Sequence, residues 1–213
     1  MMSDSIGMPQ VVIKDDPGKT WLKEKFPLVI MHFRDEMEWI KGQVDQMPSG
    51  GTFVEVGVAL GGLTVLLWSH VYAKDGQYVV VDHFEGTPSD GESEGRTHLA
   101  IGRVGAKGRF LVNMVRARIS SNIRMVEADS VHAARVFDDG TLDIVYLDAG
   151  HTYDEVRADI QAWWPKVKPG EWLMGHDYHD HGNGVQQAVD RHCDECGLVC
   201  IRGATRCWKV QKT

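Results

Sequence analysis

No stretch of this chain approaches the roughly 20 consecutive apolar residues that cross a bilayer. The opening Met1-Met2-Ser3-Asp4-Ser5 puts no basic patch ahead of an apolar run. A membrane partner and a secretory leader are therefore not expected, and the chain reads as soluble and cytoplasmic. Positive charge is also short: Lys and Arg total 23 against 30 acidic residues, a formal charge of −7. That balance argues against a phosphate-backbone surface and so against a nucleic-acid partner. Cysteine is scarce, and Cys193, Cys196, Cys200 and Cys207 all lie beyond residue 190. Cys193 and Cys196 fall on a helix end closed by Gly197, while Cys200 and Cys207 would face each other across a hairpin turning at Gly203-Ala204. Reduced packing cysteines are the expectation, with a small structural metal as the alternative. Internal repeats are absent.

At 213 residues the chain suits one domain with a single substantial core. Residues 1–20 carry Pro9 and Pro17, lack periodicity and read as an arm. Residues 21–213 then form the domain, and Trp21 and Phe26 beside the arm could pack on a second copy. From Pro27 to about Met47, Val29, Ile30, Phe33, Met37, Ile40 and Val44 recur at helical spacing, which predicts an amphipathic helix. Beyond Pro48-Ser49-Gly50-Gly51, strands at 52–58, 77–84, 123–128, 142–148 and 171–174 alternate with helices at 63–73, 107–119, 130–137, 153–164 and 185–196. This alternation is the signature of an α/β, doubly wound, mostly parallel sheet. Residues 198–201 and 206–210 can only pair as an antiparallel C-terminal hairpin, making seven strands. The polar, acid-bearing loop at 85–97 is either a lid or a solvated insertion.

In such a sheet, ligands bind beyond the carboxyl ends of the strands, and chemistry-bearing residues collect there. Val54-Glu55-Val56-Gly57 leads into Gly61-Gly62, where glycines allow close backbone approach and leave a helix N-terminus open. Glu55 and the Asp82 that closes the second strand, with His83 next to it, sharpen this into a site for a ribose-bearing cofactor. Asp129-Ser130 either contacts adenine or caps the following helix. Leu147-Asp148-Ala149-Gly150-His151 ends a strand in a carboxylate, with an imidazole three residues on. Gly175-His176-Asp177-Tyr178-His179-Asp180-His181 crowds ionisable groups at the next strand end. Asp148, His176 and Asp177 could hold a divalent cation, leaving His151 as a base. A two-histidine, one-carboxylate iron site at His179-Asp180-His181 is a lesser alternative.

These residues resemble a class I S-adenosylmethionine-dependent methyltransferase over about Thr52 to Lys212. Val54-Glu55-Val56-Gly57 with Gly61 resembles the cofactor loop, although Ala59 stands where many members have glycine. Asp82 matches the ribose-binding acid, and Asp129-Ser130 is similar to the segment beside adenine. The closing hairpin is similar to the reversed seventh strand of that family. Leu147–Tyr153, Trp164–Gly170, Gly175–Tyr178 and Gly184-Val185 together resemble the subgroup that includes macrocin-type sugar O-methyltransferases. The resemblance implies a Mg2+ or Mn2+ ion on Asp148 and the pair His176-Asp177, the first of which is an acid in that subgroup. It further implies His151 as general base and O-methylation of a sugar or other small hydroxylated acceptor. A nicotinamide-dependent oxidoreductase and a catalytically silent cofactor-binding protein are the rival readings.

Overall fold

The computed structural model describes residues 20–21, 29–30, 32–86, 105–119, 123–179 and 183–213. Residues 1–19 of the arm expected over 1–20, Phe26, most of the 85–97 loop, and Asp180 with His181 lie outside the described residues. Seven strands form the central sheet: β3 (Thr52–Val56), β4 (Gln77–Val81), β5 (Ile123–Val126), β6 (Leu142–Leu147), β7 (Val167–Gly175), β8 (Ile201–Arg202) and β9 (Trp208–Gln211). Their spatial order is β5-β4-β3-β6-β7-β9-β8. The first five are parallel, and β9 runs antiparallel between β7 and β8. The doubly wound sheet and reversed hairpin expected from the sequence are both present.

The central strands β3, β4 and β6 are rich in β-branched residues and buried on both faces, as helices on either side require. Among the described residues, five longer helices and one short one supply those covers: α1 (Arg34–Gln46), α2 (Gly62–Tyr72), α3 (Gly105–Ala117), α4 (Ser130–Ala133), α5 (Tyr153–Trp163) and α6 (Gly184–Cys196). Ile40, Val44, Leu67 and Phe110 pack on Phe53 and Tyr78 on one face. On the other, Ile160, Trp163 and Val189 pack on Val54, Val145 and Leu173. The chain winds outward in opposite directions from β3 and β6, so a crevice opens beyond their carboxyl ends.

The expected helix over 27–47 is shorter. Val29-Ile30 is instead a two-residue strand, β2, paired antiparallel with β1 (Thr20–Trp21). Branching at Cβ favours extended backbone there. The helix starts at Arg34 because the Glu36 carboxylate reaches back one turn and accepts the Phe33 N–H at 2.7 Å.

The hairpin also differs from expectation. Its turn spans residues 203–207, closed by bonds from Gly203 N–H to Cys207 O (2.8 Å) and from Cys207 N–H to Ala204 O (2.9 Å). Cys207 therefore sits in the turn rather than opposite Cys200, and all four cysteines are free thiols. The longer turn reaches α1. A Cβ on Gly203 would stand 2.5 Å from the Trp39 ring, and Thr205 Oγ1 donates to Asp35 at 2.6 Å. Among the described residues, the side-chain groups spaced to hold a metal include no cysteine.

Candidate active site

The crevice is a cleft of about 450 Å3. One wall is the turn from β3 into α2. Gly57 there has φ 86°, and a Cβ would lie 2.2 Å from the Asp148 carbonyl oxygen, so no other residue lets this turn lie against the end of β6. Val58 and Ala59 donate their N–H groups to Asp82 Oδ2 at 2.9 and 3.0 Å, and Phe84 donates to Oδ1 at 2.6 Å. Asp82 thus shapes the glycine loop from the end of β4. Beneath the loop, Glu55 is buried and its Oε2 accepts from both Thr64 Oγ1 and Tyr78 OH at 2.7 Å. Burial pushes its carboxyl up to about 8, against the pull of those two hydroxyls.

Gly62 and His83 complete this side, and His83 Nδ1 accepts the Glu85 N–H at 3.0 Å; Gly61, the left-handed N-cap of α2, does not line the cleft but lies against Phe110 and Met114. Across the cleft, Asp129 caps α4 by accepting from Val131 and His132 N–H. Ser130 Oγ accepts from Trp163 Nε1 at 2.9 Å. Both residues line the cleft, so Asp129 caps the helix and borders the cleft at once. Asp159 of α5 joins them there, buried, with its carboxyl pushed up to about 7 by that burial.

The third wall is a network of carboxylates and imidazoles. Asp148 follows β6, and His176 follows β7 with Nδ1 3.5 Å from Asp148 Oδ1 and 3.3 Å from Asp177 Oδ2. Asp177 has φ 56°, a left-handed conformation that aspartate tolerates better than most residues. His151 Nε2 lies 3.1 Å from Asp177 Oδ2. The His151 turn is fixed from two directions. Thr152 caps α5 in a reciprocal box with Glu155, and a Cβ on Gly184 would fall 2.5 Å from the His151 carbonyl oxygen. The Asp148, His151, His176 and Asp177 expected from the sequence are therefore one cluster, while His179 touches it only through Asp177 Oδ1 at 3.5 Å.

Three further members carry no local sequence signal. Glu36, fully buried on the first turn of α1, stands 3.1 Å from His176 Nε2. Arg206 of the hairpin turn donates to Glu36 through Nε (3.0 Å) and Nη2 (3.2 Å), and to Asp177 Oδ1 through Nη1 (3.0 Å). His32, just ahead of α1, has Nε2 2.9 Å from Tyr146 OH and 3.3 Å from Asp148 Oδ2.

Burial alone would push Glu36 up, but the bonds from His176 and Arg206 outweigh it and hold the carboxyl at about 2. Burial would likewise lower His176, yet Asp148, Asp177 and Glu36 drive it up to about 11. Asp148 and Asp177, which burial would raise, are held well below the usual carboxylate range by the adjacent histidines. Donor atoms of His32, Asp148 and His176 lie within 4.8 Å of one another, as do those of Asp148, His151 and Asp177. Mixed imidazole and carboxylate donors at that spacing fit a divalent cation.

The sequence pattern of the methyltransferase-domain family matches residues 54–178, from β3 to the His176-Asp177 turn. This chain belongs to that family. As a class I S-adenosylmethionine-dependent methyltransferase, it shares its fold with solved structures of low sequence identity. The O-methyltransferase NovP aligns at 21% identity over 86% of this chain and 82% of NovP, with a TM-score of 0.67. The Podospora anserina methyltransferase PaMTH1, solved with S-adenosylhomocysteine, aligns at 11% over 86% of this chain and 80% of its own, with a TM-score of 0.61. CalS11, a TDP-rhamnose 3'-O-methyltransferase, aligns at 14% over 83% and 76%, with a TM-score of 0.54. At these identities the likeness concerns the fold. A curated relative, the uncharacterized protein y4gI of Sinorhizobium fredii (strain NBRC 101917 / NGR234), is 32% identical over 66 residues. The matched stretch is 30% of this methyltransferase chain and 7% of that protein.

Proposed function

We propose that this methyltransferase transfers the S-adenosylmethionine methyl group to a hydroxyl of a small acceptor, a sugar or a similar polyol, with His151 as general base. The observation that carries the reading is the His151–Asp177 contact of 3.1 Å at the edge of the cleft, with the His151 side chain about one-third exposed. One ring nitrogen is thereby anchored on a carboxylate, and the ring stays accessible to an acceptor.

In this reading the ribose lies at Asp82 with Glu55, Gly57, Gly61, Gly62 and His83 around the donor's path, and adenine lies towards Asp129 and Ser130. The sulfonium end then faces Asp148. Transfer is an in-line displacement: the acceptor oxygen gains the methyl carbon, the carbon–sulfur bond breaks, and His151 takes the hydroxyl proton. Much of the rate comes from alignment in a cleft that excludes water, supplemented by that proton transfer. Asp148 and His176 would hold a divalent cation, with Asp177 beside them aiming His151. Such an ion supplies positive charge that orients the acceptor and makes its hydroxyl more acidic. NovP and CalS11 are named as O-methyltransferases, the second acting on a sugar, which supports the choice of oxygen and of acceptor class.

The test is S-adenosylhomocysteine release in the presence of a panel of sugars and polyols. His151→Ala is expected to lower turnover by roughly a hundredfold or more on any accepted substrate, with donor affinity unchanged. Wild-type turnover in that variant would remove the base role.

A further inference from the structure

The cluster contains more nitrogen than a hard-ion site needs. We propose that the cation face is a two-histidine, one-carboxylate set, His32, Asp148 and His176. It would take a borderline transition ion, Mn2+, Fe2+, Co2+, Ni2+ or Zn2+, in preference to Mg2+. This rests on the cation part of the reading above and assigns its third protein donor and its ion class.

His32 Nε2 and His176 Nδ1 approach the two oxygens of the same carboxylate, at 3.3 and 3.5 Å. Ligands about 2.1 Å from one ion stand roughly 3.0–3.5 Å apart in octahedral or tetrahedral geometry, so little movement is needed. Both imidazoles are buried, at 6% and 5% exposure, with ring centroids 4.3 Å apart. His176 is held from outside the set. Glu36 stands behind His176 Nε2, the arrangement in which a carboxylate fixes a ligating histidine, and Arg206 in turn grips Glu36. The Tyr146 hydroxyl stands 2.9 Å from His32 Nε2, the same nitrogen that faces Asp148, so an ion bound there would take the place of that contact.

Asp177, by contrast, is occupied. Its Oδ1 takes Arg206 at 3.0 Å, and its Oδ2 faces His151 at 3.1 Å and His176 at 3.3 Å. It serves to aim His151 rather than to bind the ion. Mg2+ dehydrates reluctantly and prefers oxygen donors, whereas imidazole suits the later first-row ions. A two-histidine, one-carboxylate pattern is thus offered by three separated segments.

The test titrates the metal-free full chain with Co2+, Mn2+ and Mg2+ separately, by calorimetry and by the visible absorption of bound Co2+. One-to-one Co2+ binding is expected, with Mg2+ weaker by roughly a hundredfold. His32→Ala and, as a milder second variant, His32→Gln should each weaken Co2+ binding by roughly tenfold or more and alter its spectrum. Circular dichroism checks that both fold. Asp177→Asn and His151→Ala should leave Co2+ affinity within about threefold, since neither is a ligand in this set. Equal affinity for Mg2+ and Co2+, or loss on Asp177→Asn with none on the His32 variants, would overturn this inference and leave the cation reading standing. Absence of binding by every ion would overturn both.

Discussion

Replacing Glu36 with alanine tests how the first helix and the closing hairpin are tied to the site. The carboxylate is fully buried and receives bonds from Arg206 Nε, Arg206 Nη2 and the Phe33 N–H, with His176 Nε2 3.1 Å away. Deleting it takes one buried carboxylate from each of two cationic partners, leaving Arg206 with Asp177 and His176 with Asp148 and Asp177. Breaking a buried pair from one side costs about 3–5 kcal/mol. For a chain of this size each kcal/mol moves the melting temperature by about 2–4 °C, so a drop of roughly 6–20 °C is expected in a thermal scan. Glu36→Gln keeps an acceptor for the Phe33 N–H and should lose less. The Glu36→Ala, Arg206→Ala double variant should be more stable than the sum of the single losses predicts, with a coupling of about 2 kcal/mol or more. Additivity within about 0.5 kcal/mol would refute the clamp. The pH dependence has a defined sign. Glu36 is near 2 when folded against an ordinary 4.5, so its contribution is present above 4.5 and is lost as pH falls from there towards 2.

Asp159 should act in the opposite sense. Its carboxyl, near 7 when folded and 3.8 ordinarily, keeps a proton that the unfolded chain has already released. Stability therefore falls as pH rises from about 4 to 7, by a maximum on the order of 4 kcal/mol. Asp159→Asn should remove that fall, read by urea unfolding at pH 5 and pH 8; an unchanged pH slope would contradict the assignment. His151→Ala, the base variant, should melt within a few degrees of the wild type, because its side chain is partly exposed and outside the core. A large drop would mean that its effect on turnover reports structure rather than proton transfer.

The strands were legible because β-branched runs such as Val79-Val80-Val81 and Ile144-Val145 are buried on both faces and bounded by Gly, Asp or Pro. The cluster of Asp148, His151, His176 and Asp177 was legible for a topological reason. Parallel neighbours bring their carboxyl ends together, so residues 25 or more apart in sequence become adjacent at β6 and β7. Glu36, Arg206 and His32 were not legible. Their roles arise from long-range packing of α1 on the hairpin turn, through Trp39 on Gly203 and Asp35 on Thr205, and no periodicity encodes such a contact. Val29-Ile30 misled because their spacing fits a helix face, while the pairing with Thr20-Trp21 that holds them extended is a tertiary event. The turn at 203–207 was read as shorter because Gly203-Ala204 has the composition of a tight hairpin; its added length follows from what it must reach.

In the proposed function the cleft between the Gly57 turn and the Asp148 end of β6 holds the methyl donor. Calorimetric titration with S-adenosylhomocysteine tests it most directly, with Asp82→Ala and NAD as controls. One-to-one binding of S-adenosylhomocysteine is expected, weakened at least tenfold by Asp82→Ala through loss of the ribose contact and of the acceptor that shapes the Val58-Ala59 turn, with no heat from NAD. Saturable NAD binding, or none by S-adenosylhomocysteine, would contradict the account.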